Sequence, residues 1–182
     1  MSADQPAICV YCASGAVDEQ YLRLAADLGT GLARAGLALV SGGGNVSMMG
    51  SIARATRTAG GRTIGVIPEH LMAKEVADLD ADELIVTDTM RERKRIMEER
   101  SDGFVTLPGG IGTLEEFFET WTGGYLGEHD KPVVIVNLDG FYDPLLEWLH
   151  ELKARGFVSG YALDRLIVVD TAADAITQLT RR

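Results

Sequence analysis

The chain is poor in the residues from which several functional classes are built. Two cysteines, Cys9 and Cys12, are too few for a disulfide framework, and three histidines, His70, His129 and His150, are scattered without the H-E-x-x-H or similar spacing of a zinc site. Cations are scarce as well: 17 Lys and Arg stand against 27 Asp and Glu, a formal net charge of -10. Nucleic-acid affinity rests on many cations neutralising many phosphates, so no DNA or RNA partner is expected. No apolar run approaches the roughly 18 to 20 residues of a membrane helix, and MSADQPAICV lacks the basic, then apolar layout of a signal peptide. The expectations are a cytoplasmic protein with no membrane partner and no bound metal. A thioredoxin-like C-x-x-C sits at a helix N-terminus, whereas Cys9-x-x-Cys12 falls in or just after a strand, so reduced structural thiols are expected.

What is present is glycine and apolar residues in quantity. With 182 residues, 46% of them hydrophobic, and 21 glycines, the chain fits one compact domain spanning 1–182. Short β-rich runs alternate with longer stretches of helical period. AICVYC precedes a helix over 18–35 whose Tyr21, Ala25, Leu28 and Leu32 share one face. LALVS leads to a helix from about Ser47, RTIGVIP follows, ELIVTD leads to a helix from about Asp88, and GFVTLP to one from Thr113. PVVIVN leads to a helix from Asp143, and RLIVVD to a C-terminal helix. Such alternation predicts an α/β fold with a mainly parallel sheet. Continuously apolar strands such as LIVV and VVIV predict helices on both faces, a doubly wound arrangement. In open sheets of this kind ligands bind beyond the carboxyl ends of the strands.

Two strand-to-helix junctions are rich in glycine: Ser41-Gly42-Gly43-Gly44-Asn45, and Pro108-Gly109-Gly110-Ile111-Gly112-Thr113. There, backbone N–H groups and the helix dipole favour a phosphate, and a side chain would hold its oxygens away. Glycine-rich turns without a ligand are the plain alternative. Neither loop is a P-loop, since G-K-[ST] is missing, and the third glycine of a dinucleotide fingerprint is replaced by Glu115.

Two charged residues stand out beside these loops. In MRERKRIM, Arg93 lies three residues from Met90 and Ile96 and four from Met97, on the apolar face of its helix. A buried arginine needs an anion, which can be a structural ion-pair partner, a phosphate or a catalytic carboxylate. On the next helix Leu114, Phe117, Phe118 and Trp121 make the core face, leaving Thr113, Glu116 and Thr120 together near the glycine-rich mouth. Glu116 then stands beside any bound phosphate ester. Thr113-Leu114-Glu115-Glu116 also reads as a capping box, in which Glu116 would only bind the first backbone amide of the helix.

MRERK followed after a strand by PGGIGTLEE resembles the paired motifs M-x-x-R-K and P-G-G-x-G-T-x-x-E of the LOG (Lonely Guy) family, long misannotated as lysine decarboxylases. SGGGNVSMMG is similar to the family's S-G-G-G-x-x-G-L-M-G segment, and LGEHDKPVVIVNLDGFYDPLL to its tail, so the likeness covers nearly the whole chain. Ser47 and Met48 stand where the family often has Gly-Leu, and Gly123-Gly124-Tyr125 where plant members have Trp-Ala-Gln.

The resemblance implies a Rossmann-like fold, catalysis by Arg93 and Glu116, and a 5′-phosphate held by Gly109, Gly110, Gly112 and Thr113. Ser14, Gly43, Gly44, Asn45, Met90 and Lys94 are the further nucleotide-binding candidates. The implied reaction hydrolyses the N-glycosidic bond of a cytokinin riboside 5′-monophosphate, an N6-substituted AMP, to free base and ribose 5-phosphate, with AMP also a substrate. It needs no cofactor, and the family usually works as a homodimer with sites near the subunit interface. In the expected chemistry Glu116 stabilises positive charge on the ribose or activates water, while Arg93 orients Glu116 and keeps it ionised. The alternatives are a broader purine nucleotide nucleosidase and a non-catalytic nucleotide or molybdenum-cofactor binding protein. A pyridoxal-phosphate decarboxylase is disfavoured, because no lysine sits in a recognisable Schiff-base context.

Overall fold

The computed structural model describes residues 5–181. Every apolar run named above forms a strand. In chain order the elements are β1 (Ala7–Tyr11), α1 (Glu19–Arg34), β2 (Ala38–Ser41), α2 (Ser47–Thr58), β3 (Thr63–Pro68), β4 (Glu83–Thr87) and α3 (Met90–Glu99). They continue with β5 (Gly103–Thr106), α4 (Ile111–Leu126), β6 (Val133–Val136), α5 (Asp143–Ala154), α6 (Gly160–Asp164), β7 (Leu166–Val169) and α7 (Ala172–Thr180). The strands form one parallel sheet in the order β4-β3-β2-β1-β5-β6-β7.

Strand residues alternate between two cores. Ile8, Val10, Leu39, Val105 and Val134 face α1, α2 and α7. Their neighbours Cys9, Val40, Phe104, Val133 and Ile135 face α3, α4, α5 and α6. Period-2 geometry sends successive side chains to opposite faces, and because helices cover both, these strands read as nearly continuous apolar runs. The sheet is therefore doubly wound, with its switch point between β1 and β5, where a crevice opens at the carboxyl ends. Among the described residues no helix is long and apolar enough to cross a membrane.

Three details depart from the sequence reading. The helix expected from Asp88 starts at Met90, because Thr89 caps it: the Thr89 hydroxyl accepts the Glu92 N–H at 3.1 Å and the Glu92 carboxylate accepts the Asp88 N–H at 3.1 Å. The capping box thus forms at Thr89–Glu92. It does not form at Thr113–Glu116, because α4 begins at Ile111 with Gly110 as its N-cap, which puts Thr113 inside the first turn and leaves the helix start without a side-chain cap. The short helix α6 carried too few residues to show a period. Between β3 and β4 the chain makes a single 3-10 turn, Glu69–Leu71, and then a run of turns to Asp82; we call residues 69–82 the strap.

Candidate active site

The loops after β1 and β5 meet at the switch point, where the Ala13 N–H donates to the Pro108 carbonyl at 3.3 Å. Between them, α3 and the strap lies a cavity of about 480 Å³, a size typical of small-molecule sites. Ser14, Met90, Arg93, Thr113 and Glu116 all line it, together with Gly109, Gly110 and Gly112. Residues far apart in sequence are thereby brought together.

The second glycine loop opens into this cavity. A Cβ added at Gly110 or Gly112 would meet nothing within 4 Å, so no protein atom demands glycine there. Gly109 differs, since its Cβ would overlap the buried Thr113 side chain. The uncapped N–H groups at the start of α4 and the dipole behind them supply the positive end.

The first glycine loop has another part. Gly43, Gly44 and Asn45 are absent from the cavity lining and support it from behind. A Cβ at Gly42 would overlap the Arg93 guanidinium, whose Nη2 donates to the Gly42 carbonyl at 2.9 Å while Nε donates to the Val66 carbonyl at 3.0 Å. These bonds explain how Arg93 sits buried on the apolar face of α3. Its anionic partner is Glu75 of the strap, with Oε2 at 3.5 Å from Nη2. The same Oε2 is buried without a hydrogen-bond partner, and Arg93 Nη1 makes only a weak contact with Met90 Sδ at 3.9 Å. Glu75 lines the cavity and was not singled out from the sequence. No pattern in a single chain could have selected it.

Glu116 keeps part of its surface open to the cavity, yet the protein packed around it pushes its carboxyl up to about 7. Burial is the main cause; Arg93 opposes it, while Glu115 and Glu75 add to it. Arg93 pulls toward the ionised form, as expected, but the guanidinium is occupied by Glu75 and two carbonyls, and desolvation outweighs its pull.

Lys94 is turned away from the cavity, with Nζ 2.5 Å from Glu115 and 2.7 Å from Glu119, so it ties α3 to α4. No lysine lines the cavity, and a Schiff base would have no amine to form on. Cys9 is buried and Cys12 lines the cavity; burial pushes both thiols up, away from the thiolate that redox or metal chemistry uses. Among the described residues no group of three His, Cys, Asp or Glu could hold a metal ion.

Comparison with known proteins agrees with this geometry. A family model described as "Possible lysine decarboxylase" matches residues 49–179. A cytokinin riboside 5′-monophosphate phosphoribohydrolase from Mycobacterium tuberculosis is 55% identical over 93% of this chain and 90% of its own length. The enzyme of that name called LOG from Oryza sativa subsp. japonica is 40% identical over 94% of this chain and 72% of its own. Among solved structures, the molybdenum cofactor binding protein from Rippkaea orientalis is similar at a TM-score of 0.73 and 26% identity, covering 98% of this chain and 97% of that one. The motifs, the cavity they line and relatives matched along nearly the whole length agree, and the chain belongs to the LOG family of cytokinin riboside 5′-monophosphate phosphoribohydrolases.

Proposed function

We propose that this chain hydrolyses the N-glycosidic bond of cytokinin riboside 5′-monophosphates, with AMP as a further substrate, releasing the free base and ribose 5-phosphate. The observation that carries this reading is the arrangement along α4, whose open N-terminus and Glu116 face one cavity. At about 1.5 Å per residue, Glu116 lies roughly 7 Å along the axis from Ile111. A phosphoryl group seated on the first turn therefore presents its ribose to the carboxyl.

Cleavage breaks the bond between C1′ and N9, whose electron pair leaves with the base, while a water oxygen bonds to C1′. Glu116 as carboxylate stabilises the developing positive charge or takes the proton of that water; the departing base gains a proton, so water is consumed overall. Gly109, Gly110, Gly112 and Thr113 serve the phosphate, and Ser14 contacts the nucleotide. Arg93 holds Glu75 in place and offers Nη1 to the nucleotide, and the Glu75 carboxylate, part of the cavity wall, accepts a ribose hydroxyl. Met90 contributes apolar wall, while Gly43, Gly44, Asn45 and Lys94 act by support.

The assembly proposed is a homodimer of single-domain chains with the sites near the interface, acting in the cytoplasm. Ile111, 90% exposed at the tip of the phosphate loop, gives an apolar rim for a second copy to cover.

The test is to incubate the protein with N6-isopentenyladenosine 5′-monophosphate and, in parallel, AMP, and to follow free base by chromatography. Release from both is expected, with the ratio giving base selectivity. No release from either would overturn hydrolysis of these substrates and favour a binding role like that named for the Rippkaea protein.

A further inference from the structure

Residues 75–78 of the strap are bound to the first glycine loop. The Asn45 N–H donates to the carbonyls of Glu75 and Val76 at 3.1 and 2.8 Å, Gly44 bridges Ala77, and the Asp78 N–H donates to the Gly43 carbonyl at 2.8 Å. Gly44 leaves no space for more, since its Cβ would lie 3.1 Å from the Glu75 carbonyl. The same loop receives the Arg93 guanidinium at Gly42. One short segment thus sets both members of the Arg93–Glu75 pair relative to each other.

This seating is not the chain's relaxed path. Val76 has φ 49°, the left-handed region that a β-branched residue avoids, and it is half exposed, so no packing of its side chain accounts for the conformation. The restraint lies two residues on. Asp78 is 2% exposed and forms a two-pronged ion pair with Arg57 of α2, at 2.7 and 3.1 Å, and Arg57 also reaches the Thr63 hydroxyl of β3 at 3.3 Å. Fork-to-carboxylate geometry fixes direction as well as distance. The pair therefore ties the strap to both α2 and β3 just past the strained turn.

We infer that Asp78, clamped by Arg57, is a positioning residue that holds the strap down so that Glu75 meets Arg93 in the nucleotide cavity. It touches no substrate and acts only through Glu75. The inference rests on the hydrolase reading above, in which Glu75 serves the ribose.

The test is a double-mutant cycle on base release from AMP, measuring kcat and KM for the wild type, Glu75→Gln, Asp78→Asn and the double variant. Asp78→Asn alone is expected to lower kcat/KM roughly tenfold or more, as a small misplacement of a positioning group does. In the Glu75→Gln background it should cost nothing further, because the group it positions has lost its charge. Losses that multiply, an Asp78→Asn variant within about twofold of wild type, or a silent Glu75→Gln would each overturn the role. If Asp78→Asn fails to fold, Arg57→Lys, which keeps the charge but removes the fork, takes its place in the same cycle, and the same results support or overturn the role. No turnover by the wild type would overturn the hydrolase reading instead. The cycle would then be run on AMP affinity by calorimetry, which still decides whether Asp78 acts through Glu75.

Discussion

Glu116 stands between two opposed effects, and their balance has measurable signs. Burial raises its carboxyl from the ordinary 4.5 to about 7 against the pull of Arg93. At this site the folded protein therefore binds more protons than the unfolded chain between these values, so the contribution of Glu116 to stability is greatest below about pH 4.5 and is lost as pH rises to about 7. Glu116→Gln removes that penalty. Its stability should match the wild type at pH 4.5 and exceed it at pH 8.5 by about 3 kcal/mol, while it still binds AMP and loses turnover. Retained turnover would sink the catalytic role. If the carboxylate is the working form, kcat/KM climbs with pH through about 7; a fall above that value would make Glu116 the proton donor to the base instead. Ser47 offers a second test. It occupies a left-handed backbone at φ 49°, with its hydroxyl oxygen buried and without a hydrogen-bond partner. Ser47→Gly should stabilise the protein by about 1 kcal/mol, or about 2–4 °C in a thermal melt, and an unchanged or lower Tm would mean the hydroxyl has a partner in solution.

At the scale of elements, α4 separates a structural glycine from a functional one. Gly112 lies in the first turn, where alanine is the better helix former and its Cβ would meet no protein atom. Gly112→Ala should therefore raise stability by up to about 1 kcal/mol, read as a higher melting temperature, and at the same time weaken AMP binding by roughly tenfold or more in calorimetry. Unchanged affinity would show that the phosphate does not approach this backbone. Much of this architecture was legible in the chain: apolar runs located all seven strands, and three- and four-residue spacing put Arg93 on the inner face of α3. The start of α4 was misread because Thr113 and Glu116 satisfy a capping pattern that Gly110 pre-empts. Glu75 was invisible because the strap has no period to read. The proton affinity of Glu116 was out of reach too, since a sequence names the neighbouring arginine but not the carbonyls that occupy it.

For the whole molecule, the decisive question is what closes the cavity. The chain carries a formal charge of -10 and the cavity wall includes Glu75, Glu115 and Glu116 against a single guanidinium, that of Arg93, so steering by net charge works against an anionic nucleotide. Capture must come from local backbone donors and from exclusion of water. Yet Ile111 at the mouth is almost fully exposed, and Met90, which also lines the cavity, is more than a third exposed. Apolar side chains at the rim of a polar site are costly in a monomer and useful at an interface. Size-exclusion chromatography with light scattering is expected to give a dimer. Ile111→Asp should shift it toward monomer and lower base release from AMP in proportion to the dimer lost, with the fold unchanged by circular dichroism. A monomeric wild type, or a monomeric variant with full activity, would remove the second copy from the site and leave one chain to shelter the nucleotide alone.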